Sequence, residues 1–147
     1  MKPSWQFRSS TVGLMAFVAC LLSTAVLARD LGPSDPDRHA ILDAARLSPS
    51  DKFVVKDLIK DQGYAYLCGL IQGPSGLKHM DGKIAVYQFI LHKDAGQWVS
   101  INMAESGDTT GQGLAIGTTD SASRVDCRID GHSPEGAEIR SIWQGGN

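Results

Sequence analysis

The sequence predicts an α+β fold: an N-terminal helix packed on a curved antiparallel sheet of four to five strands, with a C-terminal helix. Three observations carry that expectation. A short helical pattern with a Pro-marked start comes first. Four runs of strand-like alternation follow, separated by turns and a Gly-rich loop. A second Pro-marked helical pattern closes the chain.

Ahead of the first helix, residues 1–28 read as a cleavable secretory signal. Lys2 and Arg8 are its only charges, and an apolar run at 12–28 is broken only by Gly13, Ser23 and Thr24. It ends in Ala25-Val26-Leu27-Ala28, whose compact residues at Val26 and Ala28 suit a signal peptidase. A membrane anchor would need about 20 apolar residues, more than this run holds. Lipid attachment at Cys20 is the weaker reading, because the long apolar stretch after Cys20 is unlike a polar tether. Residues 29–147 are then expected to form a single exported domain, with no stable membrane insertion after cleavage.

The first helix is expected at 36–47. Asp35 is placed to accept from free backbone N–H groups, and Pro36 loses nothing by lacking one. Ile41, Ala44 and Ala45 share a face, and Ser48-Pro49 ends the helix. Residues 53–60 and 64–71 read as a hairpin closed by Asp61-Gln62-Gly63, with positive φ assigned to the glycine. In the second run Tyr64, Tyr66, Cys68 and Leu70 share one face, and Ala65, Leu67, Gly69 and Ile71 the other. Both faces are apolar, so this strand is placed centrally. Residues 72–83, holding Gly73, Pro74, Gly76 and Gly82, read as a loop. Long alternation at 84–92 and again at 97–103 gives the last two strands. Residues 105–123 are rich in Gly, Ser and Thr and read as a mobile loop, with brief pairing at Leu114 and Ile116. A short strand at 125–129 carries Cys127, and Ser133-Pro134-Glu135 starts the last helix, whose stripe is Ile139, Ile142 and Trp143.

Several of these segments carry a resemblance. Arg38-His39-Ala40-Ile41-Leu42-Asp43-Ala44-Ala45-Arg46 is similar to a pattern R-x-A-I-L-D-A-x-R found in a group of small exported bacterial proteins. Phe53-Val54-Val55-Lys56-Asp57-Leu58, Tyr64-Ala65-Tyr66-Leu67-Cys68-Gly69 and Gln97-Trp98-Val99 resemble that group's strands, with Tyr64 where the group has Trp. The resemblance spans residues 38–101. It implies a cystatin-like or NTF2-like outline and transfers no functional residue. The C-terminal part with Cys127 departs from the pattern.

Charge and cysteine usage limit the function. Without Lys2 and Arg8 the chain keeps 12 basic residues against 16 acidic ones, a net −4. That disfavours nucleic acid and anionic membranes as partners. Cys20 leaves with the signal, so Cys68 and Cys127 are expected to form a disulfide in an oxidising compartment. No Cys-x-x-Cys spacing suggests a redox site.

Motifs for catalysis are missing. The segment 107–113 has the glycines of a phosphate loop without its Lys. There is no Gly-x-Ser-x-Gly elbow. His39, His79, His92 and His132 show no metal-ligand spacing, and a zinc set of His79, Asp81 and His92 is the weak alternative. Strand residues able to line a pocket, Tyr64, Tyr66, Tyr87 and Gln88, include no carboxylate. No cofactor, metal or catalytic residue is therefore assigned. The rings of Tyr64, Tyr66 and Trp98 form the candidate binding face, since amphipathic aromatics suit a protein partner or a sugar. The resulting expectation is a non-enzymatic exported (periplasmic) binding module. Its partner would be a cell-envelope protein, met as an inhibitor, an immunity-type protein or an accessory factor. An NTF2-like small-molecule or catalytic pocket is the alternative.

Overall fold

The computed structural model describes residues 29–103 and 115–145. The signal reading at 1–28 lies outside them, as do residues 105–114 of the expected loop. In chain order the elements are β1 (Arg29–Asp30), α1 (Asp37–Ala44), β2 (Lys52–Asp61), β3 (Tyr64–Gly73), β4 (Gly76–Leu77), β5 (His79–Met80), β6 (Lys83–Asp94), β7 (Gln97–Asn102), β8 (Gly117–Thr119) and α2 (Gly136–Gly145).

These elements correct the expected α+β fold with four to five strands. The described chain is mostly β: one open antiparallel sheet of eight strands, with only two short helices. The physical reason lies in backbone pairing. β6 is 12 residues long, and β7 covers only its stretch from Phe89 to Asp94. The uncovered backbone of Ile84 to Val86 must find partners elsewhere. β8 supplies them, pairing Gly117–Thr119 with this stretch. The stretch read as a loop at 72–83 likewise folds back as β4 on β3 and β5 on β6.

The long strands run side by side in the order β2, β3, β6, then β7. Asp61 pairs with Tyr64 across a two-residue turn. Its left-handed residue is Gln62 (φ 55°), not the glycine that the sequence suggested. In β2 the register shifts between Val55 and Asp57, leaving Lys56 as an extra residue. Gly69 lies opposite this bulge. A Cβ there would meet the Val54 carbonyl oxygen at 2.5 Å, so only glycine fits the close approach.

Each face of the sheet is covered by a different part of the chain. On one, Leu58, Ala65, Leu67, Ile71, Ala85, Tyr87, Phe89, Leu91 and Trp98 pack with Leu31 and with Ile41 and Ala45 from α1 and its C-cap. On the other, Ile59, Tyr66, Leu70, Val86 and Ile90 pack with Ile139 of α2 and with residues of the 122–129 segment. Alternation within β3 and β6 feeds both cores, which is why these strands read as apolar on both sides.

The helices are shorter than the sequence suggests. Helix α1 covers Asp37–Ala44, and its N-cap is Pro36. Asp35 still contributes, accepting the Asp37 N–H at 3.0 Å. Asp37 is the clasp between α1 and the sheet. Its carboxylate meets Lys60 of β2 and Lys93 of β6, both at 2.9 Å, and accepts from the Trp98 indole of β7 at 3.4 Å. At the far end, Ser100 donates to the carbonyl of Ala44 at 2.7 Å.

Helix α2 rests on a buried acid. Asp61 is 2% exposed and pairs with Arg140. Gly136, the first residue of α2, packs so tightly on the Asp61 carboxylate that a Cβ would fall 2.4 Å from it. The strand expected at 125–129 does not form. The segment instead crosses the sheet face, with one bridge between Ile129 and His132.

Candidate functional site

Cys68 and Cys127 are brought together. They form a disulfide with Cα atoms 5.7 Å apart, tying β3 to the crossing segment. Tyr66 adds a second tie. It has no exposed surface, and its hydroxyl donates to the Cys127 carbonyl at 2.5 Å. Burial raises the Tyr66 pKa, with the Asp57 and Asp126 carboxylates adding to the shift, so the ring stays a neutral donor.

The three rings read together from the sequence are not one surface. Tyr64 and Tyr66 lie on the α2 side of the sheet, whereas Trp98 lies on the α1 side. Trp98 is 8% exposed and sits under the Lys93 ammonium, 5.6 Å from its centroid. Tyr64 is half-buried and has different company. Its ring is 4.5 Å from that of His92, which is 5.3 Å from Trp143 of α2.

This cluster borders the outer strand of the sheet. His92 pairs with Tyr64 on one side and with Val99 of β7 on the other, forming a row across three strands. Val99 is 47% exposed. The turn joining β6 to β7 has two residues, Ala95 (φ 46°) and Gly96 (φ 83°). Such a turn makes Asp94 and Gln97 a hydrogen-bonded pair, and His92 with Val99 the next. The backbone groups of Trp98 and Ser100 therefore point away from β6, and no described strand pairs with them. No residue of β7 is charged. The opposite edge differs: β1 covers part of β2, and the rest carries a bulge flanked by Lys52, Lys56 and Asp57.

A second feature is a cleft of about 400 Å³ between β8 and the crossing segment. Val86, Gln88, Met103, Ile129 and Thr119 line it, with Arg124, Asp126, Arg128 and Asp130 also in its wall. Gln88 is 4% exposed, a polar side chain between Val86 and Ile90 on its face of β6. Asp126 and Arg128 engage each other at 2.7 and 2.8 Å. The hydrogen bonds from Arg128 hold the Asp126 carboxyl down at about 2.

The histidines do not assemble. His79 lies opposite Ile84, and His92 is eight residues further along β6, about 26 Å at strand rise. That distance separates the zinc set of His79, Asp81 and His92. His132 pairs with Glu138 at 3.0 Å, which raises its pKa above the ordinary histidine value. Among the described residues, no three His, Cys, Asp or Glu side chains are grouped to hold a metal ion. No described helix is long and apolar enough to cross a membrane.

Sequence reasoning missed His92, Val99 and Trp143 as neighbours. The two-residue turn already implies the pairing of His92 with Val99, by counting outward from Asp94 and Gln97. Trp143 had no such signal, because α2 reaches the sheet through tertiary packing alone. The chain matches no protein-family model, no curated protein and no solved structure.

Proposed function

We propose that this chain is an exported, non-enzymatic binding module of the periplasm that docks a cell-envelope protein along the outer edge of β7. The observation that carries this reading is that edge itself. It combines backbone groups at Trp98 and Ser100 that no described strand pairs with, an exposed Val99, no charge, and the Tyr64–His92–Trp143 rings alongside. An extended segment of a partner can add to such a strand through main-chain hydrogen bonds, with side-chain neighbours giving selectivity. The partly buried rings and the exposed valine supply the apolar part of the contact.

Two further observations support it. The disulfide fits a chain that works in an oxidising compartment. The α1 side of the sheet is filled by Leu31, Ile41, Ala45 and Trp98, which weighs against a catalytic pocket there. An inhibitor, an immunity-type protein or an accessory factor would each use such a surface.

The test is affinity capture from envelope extract with oxidised protein, comparing the native chain with Val99→Lys. A lysine on an exposed edge blocks strand addition at small cost to the fold. One stoichiometric partner is expected for the native protein, with recovery reduced about tenfold or more by Val99→Lys at an unchanged melting temperature. Equal recovery by both proteins, or no partner for the native chain, would sink the reading.

A further inference from the structure

The cleft above Gln88 plays no part in the β7 edge. Gln88 is 4% exposed, and no described residue hydrogen-bonds to its side-chain amide, which keeps its remaining contact with solvent on the wall of the cleft. Its amide offers both a donor and an acceptor, the pattern that a second amide complements.

The charges of the cleft narrow the ligand further. Asp126 and Arg128 satisfy each other. Arg124 and Asp130 form no ion pair with any described residue, so the wall offers one cation and one anion. A polyanion would meet Asp130 unfavourably, and a polycation would meet Arg124. A dipolar ligand with no net charge suits both. Val86, Met103 and Ile129 add an apolar flank. A volume of about 400 Å³ lies within the range of small-ligand sites.

We propose that this cleft binds a short zwitterionic peptide, with a dipeptide as the minimal ligand. The peptide amide pairs with Gln88, the carboxylate meets Arg124, the ammonium meets Asp130, and an apolar side chain lies against Val86 and Ile129. The inference stands apart from the β7 docking surface, and either can fail alone.

The experiment is an NMR titration of the oxidised protein with alanyl-leucine. Saturable shifts are expected in the amides of residues 86–88, 117–119 and 124–130. Gln88→Leu and Arg124→Gln should each weaken binding about tenfold, the loss expected when a ligand's hydrogen-bonding or charged partner is removed. N-acetylated alanyl-leucine should bind the native protein more weakly, and should no longer distinguish it from Asp130→Asn. Arg124 and Asp130 are exposed, so their variants keep the fold even if Gln88→Leu does not. No saturable shift in the cleft, shifts confined to other surfaces, or affinity unchanged in the Arg124 and Asp130 variants would overturn the proposal.

Discussion

Asp37 shows how much of the architecture one carboxylate can hold. It accepts from Lys60, Lys93 and Trp98, joining α1 to three strands. The hydrogen bonds from Lys93 and Lys60 lower its pKa to about 2, against a smaller opposing effect of burial. Burial alone would lower the Lys60 pKa, but the carboxylates of Asp37 and Asp35 outweigh it and raise the net value. The sign of the linkage follows. A depressed acid stabilises the fold fully above its unfolded pKa of about 4, and the contribution fades as the pH falls toward 2. At neutral pH, Asp37→Asn should cost about 1–2 kcal/mol, since hydrogen bonds to charged groups are lost at a partly exposed site. The gap in melting temperature between the native chain and this variant should close between about pH 4 and pH 2. A gap that stays constant through that window would mean that the carboxylate charge is not what clasps the helix.

At the level of elements, the crossing segment and α2 depend on ties rather than on strand pairing. The disulfide spans a sequence separation of 59, Tyr66 holds the Cys127 carbonyl, and Arg140 pairs with the buried Asp61. Closing a loop of this length stabilises by about 4 kcal/mol in the chain-entropy model. Reduction should therefore lower global stability by about that amount. Its local effect should be faster amide exchange in α2 and residues 121–135, while the central amides of β3 and β6 keep their protection. Hydrogen exchange followed by mass spectrometry reads both, and equal loss of protection across the chain would contradict the local picture. The same contrast explains what the sequence revealed. The runs at 53–60, 64–71, 84–92 and 97–103 were legible because β2, β3, β6 and β7 carry alternation along their length. The short strands β4, β5 and β8 were not, since two or three residues hold no period and form only because long neighbours leave backbone unpaired. The ring set failed as a surface for a different reason. Tyr64 and Tyr66 share a face by parity within one strand, but parity could not relate them to Trp98 across the sheet without the register. The disulfide needed only cysteine count and compartment.

Across the whole molecule, stability rests on covering two apolar sheet faces with very little helix. The α1 side has its own clasp at Asp37, while the α2 side has one fully buried anchor from α2, Ile139. Around that anchor lie Ile59, Tyr66, Leu70, Val86 and Ile90, all buried, on β2, β3 and β6. Removing the cover would expose a continuous apolar surface on a protein whose residues 29–147 carry a net charge of only −4. Ile139→Ala should cost about 2–5 kcal/mol as a cavity, and Ile139→Asp should detach α2 outright, because an unpaired charge cannot stay in that core. The detached helix remains tethered through Cys127, so the expected product is a folded sheet with an open face, not an unfolded chain. Such a species should bind a hydrophobic dye and self-associate in light scattering, while retaining far-ultraviolet β signal. Reduction of the Ile139→Asp variant should then cost less stability than reduction of the native chain, because the packing that the disulfide holds in place is already lost. Strictly additive losses, or a monomeric Ile139→Asp protein that binds no dye, would show that the sheet keeps this face covered without α2.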